Sequence, residues 1–324
     1  MSNHPAARQG VAAAMAALAA AVLNLPQPFL TVLAVVLLCG TPPPSSWKDG
    51  AGRVVSAWCG CLAGVLLIIL LPEQPWLALP LFGVLAGVGA LIVSRRYGYA
   101  QTLLFGMGLC ASAPAAAIRP DILMSAALAH GTLLTIGIIA TILAFPPKAS
   151  STLPTPLSPR SAGTIGLACT ISLIAALLIV PGDAVVMVIA SLTTILRLEW
   201  PQSPSALPQK AVGALLGALS SLAFIILVAG SGNDIAVFLL ALGLMVAAFE
   251  VVARRYPAWA ISARQAAALF AVAAPMIPRP DQFLAAADSR ILAVLGGCCV
   301  AALCHCCVRA TEFPAAPQSS VSSR

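Results

Sequence analysis

Charge is what this sequence has least of. Only 8% of its 324 residues are Asp, Glu, Lys or Arg, where soluble domains carry about a quarter, so a soluble globular protein is excluded. It also lacks a Gly-Lys-Ser/Thr phosphate loop, a Gly-x-Ser-x-Gly nucleophile elbow and a His-Glu-x-x-His pair, leaving no signature of ATP hydrolysis, acyl transfer or zinc proteolysis. No catalytic residue and no cofactor is expected. A dense basic stripe is missing too. The net charge of +7 comes from Lys and Arg at the ends of apolar segments, which excludes a nucleic-acid partner and fits loops beside a membrane. The ten cysteines lie in or beside apolar segments, where a disulfide framework has no use. Cys304 and His305, adjacent on a helix, point apart with no second cluster to complete a tetrahedron, so no metal is expected.

What is abundant is apolar sequence: 60% of the residues are hydrophobic and mean hydropathy is +0.99. Apolar runs bounded by charge, Pro or Gly fall at 10–24, 28–40, 53–71, 76–94, 99–118 and 122–145, and again at 162–180, 184–197, 208–230, 234–252, 258–277 and 288–308. A span needs about 20 residues. Residues 10–40 are tight for two, and their break at Leu25-Pro26-Gln27-Pro28 predicts a hairpin like the one Pro181-Gly182-Asp183 predicts later. Nothing at the N-terminus resembles a cleaved signal, so the first run counts as a helix.

The chain repeats itself. Arg95-Arg96-Tyr97 returns as Arg254-Arg255-Tyr256, and Arg119-Pro120-Asp121 as Arg279-Pro280-Asp281, in the same order and about 160 residues later, near half the chain. The expected architecture is all-α and polytopic: about twelve transmembrane helices in two parallel six-helix repeats. The expected domains are 1–145, a Pro/Ser/Thr-rich cytoplasmic linker 146–161, 162–308, and a disordered cytoplasmic tail 309–324. With twelve spans, thirteen of the 17 Lys and Arg fall on one side, Arg119, Arg279 and Arg290 on the other, and Arg264 within a span. The positive-inside rule then puts both termini in the cytoplasm. Five-span repeats would lose that asymmetry.

A finer pattern occurs four times, a basic residue followed seven positions later by glycine: Arg53 and Gly60, His130 and Gly137, Lys210 and Gly217, Arg290 and Gly297. Small residues at intervals of four (Ser56, Gly60, Gly64; Gly213, Gly217, Ser221) leave a helix face nearly bare for close packing. Arg53 and Lys210 serve either as interfacial anchors or as functional cations. These stretches, Arg53-Val-Val-Ser-Ala-Trp-Cys-Gly60-Cys-Leu-Ala-Gly64 and Lys210-Ala-Val-Gly-Ala-Leu-Leu-Gly217, resemble the Arg-x-x-Gly-Thr-x-x-Gly helix of the fusaric acid resistance and aromatic acid exporter membrane domains. Ala57 and Ala214 replace the threonine, and the large cytosolic domain of longer members is missing. The resemblance implies efflux of organic acids across a Gram-negative inner membrane, with a periplasmic membrane-fusion protein as partner.

The residues add site expectations of their own. Arg264, about a turn and a half inside the eleventh run, is costly in lipid and calls for a partner or a wet cavity. It heads a substrate-binding set with Gln265, Arg95, Arg254, Tyr97 and Tyr256, because guanidinium groups bind carboxylates in bidentate fashion; Glu250 is a candidate counter-ion. His130, which could titrate near neutral pH, forms a proton-coupling set with Asp121, Asp281, Asp288 and Arg290. For Asp121 and Asp281, helix capping is the alternative. The expectation is a proton-coupled inner-membrane exporter of small, aromatic organic acids, able to form a homo-oligomer. The competing readings are an envelope scaffold and a passive channel.

Overall fold

The computed structural model describes residues 5–70, 75–118, 123–148, 156–200, 206–231, 234–273 and 283–310. The described part contains twelve α-helices: α1 (Pro5–Val22), α2 (Phe29–Cys39), α3 (Trp47–Leu70), α4 (Pro75–Tyr97), α5 (Tyr99–Ile118), α6 (Leu123–Ala144), α7 (Pro159–Ile179), α8 (Ala184–Glu199), α9 (Ala206–Gly230), α10 (Ile235–Arg255), α11 (Ala260–Ala273) and α12 (Phe283–Ala310). Among the described residues, nine helices are long and apolar enough to cross a membrane. The protein is a polytopic, all-α membrane protein.

Hydropathy pattern decides which helices lie inside. α2 is apolar on every face and only 11 residues long, about 16 Å of rise, and Phe29 through Leu38 are all buried. Apolar all round means enclosed by protein on all sides. Its entry turn places Asn24 and Gln27 at positive φ, 47° and 58°, which lets the chain double back from α1 without a longer loop. α8 is enclosed in the same way, buried from Ala184 through Leu196. The outer helices show the reverse pattern. Val84, Val88 and Ile92 on α4, and Leu240 and Leu244 on α10, are exposed on faces that water would penalise and acyl chains accept. Pro80 and Pro114 sit inside α4 and α5, where neighbouring helices offset the lost backbone bonds.

The packing has the same plan in both halves. α3 packs on α5 as α9 packs on α11, α2 on α6 as α8 on α12, α4 on α5 as α10 on α11, and α1 on α2 as α7 on α8. The halves also exchange contacts reciprocally, since α4 packs on α7 and α10 on α1, and α5 packs on α8 and α11 on α2.

Close backbone approach holds these pairs, and the four glycines seven positions after a basic residue all sit at such crossings. A Cβ on Gly60 would overlap the Phe105 carbonyl, and one on Gly297 the Met187 carbonyl. On Gly137 a Cβ would lie 2.6 Å from the Thr31 oxygen, and on Gly217 2.7 Å from the Ala266 oxygen. Two of the reciprocal contacts between halves, α4 on α7 and α10 on α1, use glycine on both sides, Gly83 against Gly166 and Gly10 against Gly243. With no water to drive helices together in lipid, close van der Waals packing must do so.

Candidate functional site

Polar contacts gather at one end of the bundle, where α3, α5, α7, α9 and α11 begin and α2, α4, α8, α10 and α12 finish. Asp49 on α3 meets Gln101 on α5. Ser94 near the end of α4 accepts a hydrogen bond from the Leu157 amide just before α7 (3.2 Å), and Arg160 on α7 donates to the Val308 carbonyl on α12. Apart from Arg8 and Arg290, every described Lys and Arg lies on or beside these termini. Among these, α2 and α8, α3 and α9, α4 and α10, and α5 and α11 run in matching directions.

Three ion-pair or cation clusters build this basic end. Glu250 on α10 is 2% exposed; its Oε1 accepts from Arg254 Nε at 2.6 Å, and its Oε2 is 3.9 Å from Arg264 Nε on α11. Arg264 is thus the fifth residue of α11, at the basic end, with a side chain 41% exposed beside a carboxylate. At the start of α3, Arg53 is 4% exposed; its Nη2 donates to the Pro42 carbonyl at 2.8 Å and lies 3.8 Å from Asp49. In the matching place on α9, Lys210 is also 4% exposed, and its Nζ has no hydrogen-bond partner among the described residues. Arg197 at the end of α8 donates to Gln265 Oε1 at 3.1 Å.

Other sequence-expected residues lie apart from these. Arg95, Tyr97 and Tyr256 are exposed on the end surface, with Arg255 5.9 Å from the Tyr256 ring. His130 is buried on α6 with Nδ1 3.3 Å from the Ser112 hydroxyl. Arg290 lies at the opposite end, 3.5 Å from Asp183 and 5.8 Å from the face of Phe29; Ser289 donates to the same carboxylate. Asp121 and Asp281 lie outside the described residues, as do 149–155 of the linker and 311–324 of the tail. The side chain of Asp288 is likewise outside them.

Two partnerships were invisible in the sequence. Glu199 at the end of α8 contacts His305 Nδ1 at 2.8 Å, across 106 residues, and Asp183 of the Pro-Gly-Asp turn is the acceptor for Arg290. Acids at the ends of buried helices were the one available signal, since a carboxylate there needs a partner. All ten cysteines are free. Among the described residues, no three His, Cys, Asp or Glu converge to hold a metal.

No curated protein and no solved structure matches the chain. The family model described as fusaric acid resistance protein-like matches residues 13–144, which span most of α1 through the end of α6. Over that stretch, less than half of its length, the chain is similar to the fusaric acid resistance protein-like family.

Proposed function

We propose that this protein is a secondary transporter of the inner membrane that exports small, aromatic organic acids and draws its energy from the proton gradient. The observation that carries the reading is the fusaric acid resistance protein-like match over residues 13–144 in a bundle whose cations crowd one end. A mouth lined by one sign of charge concentrates ions of the other sign. By the positive-inside rule this end faces the cytoplasm, with both termini, so organic anions collect where export begins. A duplicated six-helix unit, inserted the same way up both times, accounts for the shared packing plan and for the repeated Arg-Arg-Tyr and Arg-Pro-Asp motifs.

In this reading Arg264 and Arg254 meet the carboxylate first, with Glu250 as the internal anion that the substrate displaces from them. Arg95, Tyr97, Tyr256 and Gln265 complete the inner approach. His130, Asp121, Asp281, Asp288 and Arg290 handle the proton on the way out. A periplasmic membrane-fusion protein continues the path, and the protein itself assembles as a homo-oligomer. The chain's sequence carries no nucleotide-binding loop, which favours an ion gradient over ATP.

The test is export of benzoate from preloaded cells making the protein, with and without a protonophore. Wild-type cells should clear benzoate faster than empty-vector cells, and the protonophore should abolish the difference. Flux that continues with the protonophore would indicate a channel; no flux difference would indicate a scaffold. If export survives both Arg264→Ala and Arg254→Ala at normal membrane levels, the route past these arginines is wrong.

A further inference from the structure

Arg53 and Lys210 occupy matching positions in the two halves, near the starts of α3 and α9 and seven residues before the crossing glycines Gly60 and Gly217. Both are 4% exposed. Their surroundings differ in one chemical respect. Arg53 has an acid one helical turn earlier, Asp49, held by Gln101 and by the Ser45 amide (2.9 Å). One turn before Lys210 the sequence has Ala206. The second half also brings a second cation: Arg197 donates to Gln265 at 3.1 Å, and Gln265 packs against Gly213, one turn after Lys210.

Every acid whose side chain is described is engaged elsewhere: Asp49 with Arg53, Asp183 with Arg290, Glu199 with His305, Glu250 with Arg254 and Arg264, and Asp234 as the cap of α10. Around the two cations stand groups suited to orienting an anion. Gln265 Oε1 takes one Arg197 N–H, and Gln265 packs where a Cβ on Gly213 would come within 2.8 Å of its own Cβ, on the α9 face that follows Lys210. Thr194 Oγ1 and Cys298 Sγ, 3.3 Å apart, line the α8 and α12 side. Tyr99 packs edge-on to Trp200 at 4.8 Å, just past the end of α8 that carries Arg197.

We propose that Lys210 and Arg197, oriented by Gln265, form a binding site for a single carboxylate group, and that Asp49 beside Arg53 is the built-in carboxylate that fills the matching place in the first half. A buried ammonium is tolerable when paired, and one carboxylate satisfies it while screening it from the guanidinium, which donates to the second oxygen. A neutral polar ligand would leave both charges uncompensated. The choice of a soluble organic acid over an anionic lipid headgroup rests on the transport reading and on depth, because Lys210 Nζ lies between helices and away from the lipid-facing surface. The arrangement makes the two halves unequal: one carries its own anion, the other takes it from solution.

The experiment is benzoate binding to the full-length protein in phosphatidylcholine nanodiscs, read by calorimetry and by the shift in apparent melting temperature. Lys210→Gln and Arg197→Gln should each weaken binding about 10- to 100-fold, the usual consequence of losing a charge-assisted contact, and Lys210→Arg should restore it. Ala206→Asp installs the acid that the first half possesses. It should raise the melting temperature without ligand and abolish the benzoate-induced shift, so the proposal stays testable even if Lys210→Gln fails to fold. Benzoate affinity unchanged in Lys210→Gln and Arg197→Gln overturns the site, as does the lack of any benzoate binding to wild type. Lys210-dependent stabilisation by phosphatidylglycerol in place of benzoate overturns the soluble-acid assignment. Export of benzoate that persists in Lys210→Gln cells sinks the site and leaves the transport reading intact. Lys210-dependent binding by a protein that exports nothing sinks the transport reading and leaves the site.

Discussion

Gly217→Ala tests whether bare backbone contact sets the spacing of α9 and α11. The added Cβ would sit 2.7 Å from the Ala266 carbonyl oxygen, 2.8 Å from Leu269 Cβ and 3.1 Å from Ala266 Cα. Ordinary separations are about 3.3–3.6 Å for carbon to oxygen and about 3.5–4.0 Å for carbon to carbon. All three neighbours are backbone or the first side-chain atom, so none can swing away, and the helices must part by roughly 0.6–1 Å. A gap of that size forfeits about a quarter to a half of each dispersion contact it opens, and overpacking of this kind costs about 1–3 kcal/mol. Against that stands the helix preference of Ala over Gly, about 0.5–1 kcal/mol. The net expectation is a loss of about 1–2 kcal/mol. Gly163→Ala is the control, because a Cβ there meets nothing within 4 Å and only the helix preference acts. Apparent melting temperatures of the two variants in one detergent should therefore move in opposite directions, Gly217→Ala down and Gly163→Ala level or up. If Gly217→Ala is as stable as Gly163→Ala, close approach at this crossing does not hold the helices.

Three further outcomes follow from the ion pairs and hydrogen bonds. Glu250→Ala removes the carboxylate shared by Arg254 and Arg264; because those side chains are 47% and 41% exposed, solvent screening holds the loss to about 1–2 kcal/mol, and 0.5 M salt should narrow the melting difference from wild type. Trp58 Nε1 donates to Thr135 Oγ1 at 3.0 Å while Thr135 itself donates to the Gly131 carbonyl at 2.8 Å. Thr135→Val strands the indole N–H and should cost more than Trp58→Phe, which costs about 1 kcal/mol; the reverse order of melting temperatures would refute the pairing. Asp183→Asn and Arg290→Ala should each destabilise the protein, and a double-mutant cycle on thermal unfolding should show coupling of about 0.5–3 kcal/mol, whereas strict additivity would mean that the 3.5 Å pair contributes nothing.

Most of the fold was legible because lipid imposes a simple code. Apolar runs near 20 residues, broken by Pro, Gly and charge, can only be helices where backbone groups must bond internally, and the boundaries at Arg95-Arg96-Tyr97 and Arg254-Arg255-Tyr256 match the ends of α4 and α10. The hairpin between residues 10 and 40 was harder. Length argues against two spans, and the sequence does not say that α2 is short because protein encloses it on all sides. Sites were less legible still. Arg264 stood out as a charge inside an apolar run, but its partner Glu250 and its place at the basic end depend on how α10 meets α11. Lys210 and Arg53 follow one sequence pattern, and nothing local distinguishes the paired cation from the unpartnered one except an Asp four residues earlier. Arg197 and the Glu199–His305 contact left no trace in spacing, since their partners come from helices far along the chain.

Composition and periodicity, acting residue by residue through the cost of exposing polar backbone and charge to hydrocarbon, determined that this chain is a many-helix membrane protein, roughly where its apolar helices fall, and that motifs of its first half return in its second. Which helix lies against which was decided only in three dimensions. α1 docks on α10 and α4 on α7 because paired glycines let those backbones touch, while the meeting of α10 with α11 and of α12 with the Pro181–Asp183 turn decides that Arg264 and Arg290 acquire an acid. Arg53 and Arg254 find their acids one turn away on their own helices, but the Arg290–Asp183 and His305–Glu199 contacts depend on distances between segments remote in sequence, which only the packed bundle sets.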